Sequence, residues 1–287
     1  MNHAFLIICN SEPIVLSRLV KILSKPNHHF FIHIDKKYNE LSKFDQLRNT
    51  PNVTILNKRV KVNWGGRSQI KATLELIKEA RKRNVPQYDY YHLISGADFP
   101  CVNNDTFDHF FEINNGMSYL SYDKKQNKDL CCYRMNHYHL LDQFDIRNNK
   151  RLWIKDILEN LLEHLFKRRE SYNWQKGANW FSLHLTVINY IMNYISSNPN
   201  YYRRFAYTEC CDEIFFHTLL YDHIHKLNII TSTNLRYIDW SPTKEVNSLP
   251  AILDSNDYNN IINSGALFCR KIDPVLSDSL MSKLEES

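Results

Sequence analysis

Short apolar segments that each lead into a polar loop constrain the fold of this 287-residue chain more than any other feature. Two stretches with apolar residues at helical spacing, Glu12–Leu23 and Ser68–Arg83, alternate with them. Apolar runs of this length fit strands buried on both faces, and strands alternating with helices are typical of an α/β domain with a mainly parallel sheet. The predicted strands are Ala4–Cys9, Phe30–Ile34, Val53–Leu56 and Tyr90–Ile94.

The second half of the chain is less regular, but it contains one strongly amphipathic helical segment, Trp153–Phe166. Basic residues flank this segment on both sides: Arg147, Lys150, Arg151, Lys167, Arg168 and Arg169. We expect the helix to pack its apolar stripe on the core. A basic helix that lies on a membrane surface or at an interface is the alternative.

Composition and charge exclude several classes of protein. With 43% hydrophobic and 23% charged residues the chain is neither disordered nor fibrous, and a net charge of +5 spread along it falls short of a nucleic-acid-binding surface. The first ten residues lack the features of a signal peptide, no apolar run approaches the roughly 20 residues of a membrane span, and the seven cysteines fit reduced thiols. We therefore expect a cytoplasmic protein whose membrane contact, if any, is peripheral.

Polar residues follow the predicted strands where a parallel sheet binds its ligands. Asp35 ends the second strand and Asp98 follows the fourth, and ligands of such sheets bind at the carboxyl ends of the strands. The chain has no Gly-rich phosphate loop, no GxSxG, no HExxH and no Asp-X-Asp. The pairs His28–His29 and His137/His139 lack a convincing third ligand, so no metal site is predicted.

Five local patterns are informative in combination. They are His33-Ile34-Asp35-Lys36-Lys37, Val62-Asn63-Trp64-Gly65-Gly66-Arg67-Ser68, Ser95-Gly96-Ala97-Asp98-Phe99-Pro100, Lys176-Gly177-Ala178-Asn179-Trp180-Phe181 and Leu267-Phe268-Cys269-Arg270-Lys271-Ile272-Asp273. Between the last two lie Asp212-Glu213-Ile214-Phe215-Phe216 and Arg236-Tyr237-Ile238-Asp239-Trp240-Ser241. In this order and spacing the motifs resemble those of the Core-2/I-branching glycosyltransferases (glycosyltransferase family 14), which include β-1,6-N-acetylglucosaminyltransferases and peptide O-xylosyltransferases.

This resemblance runs from about Ala4 to Asp273 and implies a GT-A fold, a single Rossmann-like domain over residues 1–287. Residues 1–120 would form the nucleotide-sugar-binding half and residues 121–287 the acceptor and catalytic half. The resemblance also implies a UDP-sugar donor, inversion at the anomeric carbon and no requirement for a metal. The missing Asp-X-Asp, a common metal-binding pair of nucleotide-sugar transferases, agrees with the last point.

The resemblance assigns the two chemical tasks of an inverting transfer to particular residues. Glu213 matches the family's catalytic base, although Asp212 and Glu213 also suit a helix N-terminus and Glu209 is the nearest competitor. Lys271 matches a lysine that stabilises the UDP diphosphate in place of a metal, with Arg270 beside it. A second family cation is missing, because our register places Leu249-Pro250-Ala251 there; Arg270 or Lys244 are the candidate substitutes.

Other residues are expected to shape the binding pockets. Asp35 and Asp98 match donor-site positions, although Asp98 also suits a cap of the turn before Pro100. Trp64, Trp180 and Trp240 are expected to contact substrate, Trp240 by stacking on the acceptor sugar. The alternatives are a structural turn at Trp64, with Ser68 as the helix N-cap, and a core position for Trp240. Acceptor contacts are expected within Tyr133–Leu140.

The expected function is therefore transfer of a sugar, GlcNAc first, from a UDP-sugar to a glycan acceptor in surface polysaccharide biosynthesis. A bacterial enzyme acting on a lipid-linked acceptor would explain the basic amphipathic helix. A xylosyltransferase, or a transferase of another UDP-sugar, is the alternative within the enzyme class. A catalytically silent carbohydrate-binding protein is the alternative outside it.

Overall fold

The N-terminal half of the chain folds into the predicted parallel strands. A computed structural model of the chain describes residues 1–82, 87–125, 127–147, 151–166, 168, 172–241 and 249–286. Every residue of the second strand is buried and the first is buried almost throughout, as continuous apolar runs require. The four strands are β1 (His3–Cys9), β2 (His28–Ile34), β3 (Val53–Ile55) and β4 (Tyr90–Ser95).

Shorter strands and eleven α-helices complete the described part of the fold. The strands are β5 (Phe99–Pro100), β6 (Ser118–Tyr119), β7 (Phe181–His184), β8 (Ile229–Ile230), β9 (Arg236–Ile238) and β10 (Phe268–Arg270). The helices are α1 (Ile14–Leu23), α2 (Asp45–Arg48), α3 (Ser68–Arg81), α4 (Asn104–Ile113), α5 (Lys128–Asn136), α6 (Leu152–Leu165), α7 (Leu185–Ser197), α8 (Pro199–Arg204), α9 (Asp212–Leu220), α10 (Tyr258–Asn263) and α11 (Asp278–Glu285).

The strands form two sheets. Seven lie in the order β3-β2-β1-β4-β7-β6-β8, where only β7 runs antiparallel to its neighbours, so the prediction of a mainly parallel sheet is confirmed. A second sheet has the order β5-β10-β9, with β10 antiparallel to β5 and parallel to β9. This small sheet brings the residues around Asp98 to those around Arg270, far apart in the sequence.

Helix α3 packs on the large sheet through the periodic residues seen in the sequence. Ile70, Leu74, Ile77 and Ala80 are all buried, and the helix ends at Arg81; Arg83, where we expected its end, lies outside the described residues. The prediction that Ser68 caps this helix is wrong. Arg67 occupies the N-cap, and Ser68 Oγ instead accepts a hydrogen bond from the Asn63 backbone N–H at 3.0 Å.

The expectation that the amphipathic helix packs on the core is also wrong. Helix α6 has no buried residue, and its stripe residues Trp153, Ile157, Leu161 and Leu165 are 63%, 57%, 51% and 62% exposed. Its acidic side chains hold it to the protein: Glu159 and Glu163 accept from the backbone N–H groups of Leu140 and Tyr138 at 2.7 and 2.6 Å. The apolar stripe therefore faces outward. No helix among the described residues is long and apolar enough to cross a membrane.

Candidate active site

Asp98 is a buried carboxylate in the part of the site that the small sheet forms. The pairing of Phe99 with Cys269 places it beside Arg270, whose Nη1 lies 3.7 Å from Asp98 Oδ2. Asp98 Oδ2 accepts hydrogen bonds from the backbone N–H of Ser95 at 2.6 Å and from the Ser95 hydroxyl, as expected of a turn cap. Its Oδ1 is buried without a hydrogen-bond partner. Asp98 therefore keeps one acceptor oxygen free of protein hydrogen bonds.

Arg270 is held between this carboxylate and an aromatic ring. Its guanidinium carbon lies 4.3 Å from the ring centroid of Trp180, a distance typical of a cation–π contact. Next to Trp180 in the chain, the side-chain amide of Asn179 is buried with both polar atoms unpartnered. Buried polar groups normally have partners, so unpaired ones beside a fixed cation indicate a place for a polar ligand.

Lys271 belongs to a cluster of three cations. Partial burial and the positive charges of Arg147 and Arg270 lower the pKa of Lys271 from its usual value, against a smaller opposite effect of Asp273. Arg147 itself lies over Trp64, with 5.3 Å from its guanidinium carbon to the ring centroid. Cations that repel one another in this way favour an anionic ligand such as a phosphate group.

Arg147 is the residue that sequence reasoning missed. We assigned it to the basic flank of the amphipathic helix, whereas it shares a cluster with Lys271, where a second cation was lacking. Ala251, from the segment where our register lacks a cation, lies beside Lys271, because the Lys271 N–H donates to the Ala251 carbonyl at an N–O distance of 3.4 Å. Lys244, the other candidate substitute, lies outside the described residues.

Trp240 lies beside this cluster at the end of a neighbouring strand. Strand β9 is parallel to β10, with Ile238 opposite Arg270, so the residues following each strand leave the sheet side by side. The Asp239 carbonyl accepts from the Ala251 N–H at 2.9 Å, and Trp240 is 61% exposed. A core position for Trp240 is thereby excluded, and its indole is available for stacking.

Asp35 is buried and organises the loops around the site. Its Oδ1 accepts from the backbone N–H groups of Lys37 at 2.9 Å and Val62 at 3.3 Å. Lys37 Nζ in turn contacts Asp145 Oδ2 at 2.8 Å, and Asp145 Oδ1 accepts from the Arg147 N–H at 3.2 Å. Asp35 is therefore connected to the cation cluster through Asp145, while its expected contact with the nucleoside stays a prediction.

Glu213 lies in the first turn of α9 between two cations. Its Oε2 is 3.0 Å from Arg134 Nη1 and 3.2 Å from Lys176 Nζ, and its side chain is one-third exposed. Burial lowers the pKa of Lys176, but the carboxylates of Asp123 and Glu213 raise it by more. Arg134 lies in the Tyr133–Leu140 segment where we expected acceptor contacts. The two cations hold the carboxylate in a fixed, partly accessible position.

The neighbouring acids differ from Glu213 in their surroundings. Asp212 is buried, and this burial, followed by the charge of Glu213, raises its pKa to about 7. The Glu209 backbone N–H donates to the Arg134 carbonyl at 3.1 Å, and the Glu209 carboxylate raises the pKa of Arg134 less than the Glu213 carboxylate does. Of the three acids, Glu213 is the one whose carboxylate pairs with both cations.

Two glycines allow the segments of the site to approach closely. A Cβ on Gly177 would lie 2.0 Å from the Ser121 carbonyl oxygen, and the Gly177 N–H donates to the Glu213 carbonyl at 3.1 Å. Gly65 has φ of +72°, and a Cβ there would lie 3.1 Å from Leu141 Cδ1. The first contact ties the segment that ends in Trp180 to the helix that carries Glu213.

The structure thus brings most of the predicted site residues into two groups. In the first group, Asp98 and Trp180 contact Arg270, Arg147 contacts Trp64, and the charges of Arg147 and Arg270 act on Lys271. Trp240 follows the strand that pairs with the strand of Arg270. Glu213 forms a second group with Arg134 and Lys176. The backbone from Lys176 to Trp180 connects the two groups, and Glu213 has no hydrogen bond or ion pair with the first group among the residues the structure describes.

This sheet architecture, with polar residues gathered at the carboxyl ends of its strands, is that of a GT-A-like glycosyltransferase fold. The family model described as Core-2/I-Branching enzyme matches residues 3–262, so the chain belongs to that family.

Individual relatives are more distant. The chain is similar to xylosyltransferase 1 of Rattus norvegicus, with 25% identity over 79% of this chain and 26% of the relative. It is also similar to the xylosyltransferase oxt of Drosophila pseudoobscura pseudoobscura, with 22% identity over 99% of this chain and 33% of the relative. It therefore spans only a quarter to a third of their length. The crystal structure of mouse xyloside xylosyltransferase 1 in its apo form has a TM-score of 0.40 and 8% identity, covering 93% of this chain and 96% of that one.

Proposed function

We propose that the chain is an inverting glycosyltransferase that uses a UDP-sugar and needs no metal ion. The observation that carries this proposal is that the charges of Arg147 and Arg270 act together on Lys271 and lower its pKa. Such a cluster can take the charge-stabilising role that a divalent cation has in other nucleotide-sugar transferases. The candidate base, Glu213, is held by Arg134 and Lys176 on a helix whose backbone is hydrogen-bonded to the segment that ends in Trp180.

In the proposed reaction Glu213 takes the proton of the acceptor hydroxyl as that oxygen attacks the anomeric carbon. The bond between this carbon and the UDP oxygen breaks, and its electron pair leaves with the diphosphate. Arg147, Arg270 and Lys271 stabilise the negative charge that develops there. Attack from the face opposite the leaving group inverts the anomeric centre.

The donor proposed first is UDP-xylose. The similar curated proteins are named xylosyltransferases, which favours the xylose alternative over the GlcNAc that we expected first. UDP-GlcNAc remains the second candidate, because the matching family model is that of the Core-2/I-branching enzymes, which include N-acetylglucosaminyltransferases. We propose a glycan acceptor, in surface polysaccharide biosynthesis, for either donor.

We expect UDP and the correct UDP-sugar to raise the melting temperature of the protein equally with and without EDTA. A ligand at 100 times its Kd adds about 2.7 kcal/mol to stability, which shifts the melting temperature of a chain of this size by several degrees. The measurement is a thermal-shift panel of UDP, UDP-xylose, UDP-GlcNAc, UDP-glucose, UDP-galactose and UDP-glucuronic acid, with ADP and ADP-glucose as controls. The UDP-sugar with the largest shift is the donor for acceptor screens.

Two results of this panel would contradict the proposal. A shift that disappears with EDTA would make the site metal-dependent, and no shift with any UDP compound would favour a silent carbohydrate-binding protein. UDP binding without sugar transfer in the acceptor screens would favour the silent protein as well.

We further propose that the acceptor is lipid-linked and that helix α6 lies on the cytoplasmic face of a membrane. Its outward stripe of Trp153, Ile157, Leu161 and Leu165 suits the boundary between headgroups and acyl chains. Arg151, next to the start of the helix, and Arg168, just beyond its end, add the positive charge that attracts anionic lipids.

We expect the protein to co-sediment with vesicles of anionic phospholipid at low salt, and Trp153→Ser combined with Ile157→Ser to reduce the bound fraction at least about tenfold. The two serines of this variant cannot make the apolar contacts with lipid that Trp153 and Ile157 make. The matched control is Val275→Ser with Leu276→Ser, two exposed apolar residues away from α6, which should bind like the wild type. Wild-type protein that stays in the supernatant would refute membrane association.

A further inference from the structure

A group of potential metal ligands lies away from the proposed active site. His3 and His28 are the first residues of β1 and β2 and are paired in the parallel register, and Asp108 of α4 reaches both. Asp108 Oδ1 is 2.6 Å from His28 Nε2 and 3.6 Å from His3 Nε2, and one ligand atom from each residue lies within 4.8 Å of the others. The sequence indicates no third ligand for the pair His28–His29. In the fold, His28 instead lies with His3 and Asp108.

The hydrogen bonds behind these atoms fix the imidazole of His28. Its Nδ1 lies 2.6 Å from the Leu23 carbonyl oxygen, which can only accept, so Nδ1 carries the proton. In a neutral ring its Nε2 then presents a lone pair to the Asp108 carboxylate. Two acceptors this close require a cation that both can bind, either a proton on the line between them or a metal ion that moves them slightly apart.

The second histidine distinguishes these two possibilities. His3 is completely buried, its Nδ1 lies 3.0 Å from His92 Nε2, and its Nε2 has no hydrogen-bond partner. A proton shared by His28 and Asp108 satisfies that pair but leaves His3 Nε2 buried and unpaired, at a cost that proteins normally avoid. A metal ion in contact with all three side chains satisfies every one of these atoms.

We propose that His3, His28 and Asp108 bind a divalent transition-metal ion of the zinc type, with water as the fourth ligand. Two imidazole nitrogens and a carboxylate oxygen suit Zn²⁺, and both histidines are oriented through their other ring nitrogen, as metal-binding histidines usually are. Ligand atoms of a tetrahedral zinc site are about 3.3 Å apart, so small side-chain rotations would adapt the present distances. The side chain of Asp108 is partly exposed and provides the entry route.

Lys25 opposes this site and gives it a sensitive test. Its Nζ lies 2.8 Å from Asp108 Oδ2 and 2.7 Å from Asp105 Oδ1, so it occupies one oxygen of Asp108 and leaves Oδ1 to the metal. Its positive charge nevertheless repels a cation bound a few ångströms away. Removing that charge should therefore strengthen metal binding.

The position of the site assigns the ion a structural role. His3 and His28 begin strands whose opposite ends lead to the proposed active site, and a seven-residue strand spans on the order of 20 Å. An ion here would connect β1, β2 and α4 without contacting the sugar donor. The inference therefore does not depend on the proposed function, and metal-free sugar transfer is compatible with it.

The test is metal binding to the full chain after removal of metals with a chelator. We expect one Zn²⁺ per chain by elemental analysis after dialysis, a visible absorption band with Co²⁺, and a melting temperature about 5 °C higher with Zn²⁺ than without. Asp108→Asn and His28→Gln should each abolish stoichiometric binding. The matched control, His29→Gln, alters the adjacent histidine, which points to the other face of β2 and contacts Thr54 Oγ1 at 2.8 Å, and should leave binding intact.

Two further measurements keep the test decisive. Lys25→Gln should bind Zn²⁺ at least about tenfold more tightly than the wild type. Asp108→Asn should bind UDP like the wild type, which also shows that it is folded and separates failure of this site from failure of the donor site. Absence of stoichiometric Zn²⁺ and Co²⁺, or equal binding by wild type and Asp108→Asn, would overturn the metal site and assign a shared proton to His28 and Asp108.

Discussion

Glu213→Gln is expected to lower kcat by about 10²–10⁴-fold while UDP binding stays within about twofold of the wild type. The amide keeps the size of the side chain and can still contact Arg134 and Lys176, but it cannot accept the acceptor's proton. Because Glu213 has no contact with the cation cluster among the described residues, the donor should bind unchanged. Single-turnover transfer rates and UDP titrations measure the two effects separately.

The controls for this prediction are the adjacent acids. Glu209→Gln should keep near-wild-type turnover, because the substitution keeps the backbone hydrogen bond to Arg134 and the Glu209 carboxylate acts on Arg134 more weakly than that of Glu213. Asp212→Asn tests the acid next to Glu213 in the chain. Burial raises the pKa of Asp212 to about 7, so the carboxyl is half neutral near neutral pH. The same burial leaves Asp212 poorly exposed to an acceptor. Full activity in Glu213→Gln, with loss in either of the other variants, would move the base to that residue.

The sequence was sufficient to predict the parts of this fold that depend on local pattern. Continuous apolar runs predicted β1, β2 and β4 to within two residues, because a strand buried on both faces needs no polar alternation. The polar residues after these strands, Asp35 and Asp98, are correctly placed by the same reasoning, since parallel strands end at one edge of the sheet.

The parts that failed depend on contacts between distant segments. Arg147 is more than a hundred residues from Lys271, and only the folded chain shows that both belong to one cluster. Similarly, the periodicity of the sequence predicted an apolar face on α6 but did not show what this face contacts. In the structure the face points outward. His28 looked isolated because its neighbours His3 and Asp108 come from another strand and a helix.

Removing a charge from the cation cluster is expected to weaken UDP binding but to stabilise the ligand-free protein. Arg147→Gln and Lys271→Gln should each weaken UDP binding by about 10- to 100-fold, because a hydrogen bond to a charged group contributes roughly 1.5–3 kcal/mol. Lys271→Gln should also raise the melting temperature of the ligand-free protein. The lowered pKa of Lys271 means that its charged form is less favourable in the folded than in the unfolded chain, so removing the charge stabilises the fold.

The pH dependence of UDP binding tests the same assignment. Below the lowered pKa of Lys271 the lysine is charged and binds the diphosphate; as pH rises through that pKa the charge is lost and affinity falls. Lys271→Gln should lack this part of the decrease, and Arg147→Gln should shift it to higher pH because one repelling charge is gone. Arg48→Gln, an exposed arginine on α2, is the matched control and should change neither UDP affinity nor its pH profile.

A variant that weakened UDP binding and also lowered the melting temperature would indicate general damage to the fold rather than loss of a ligand contact. Unchanged UDP affinity in Arg147→Gln would remove Arg147 from the diphosphate site and reopen the search for a second cation. Weaker binding combined with a more stable free protein is expected only if these charges are held together for an anionic ligand, because their mutual repulsion otherwise destabilises the fold.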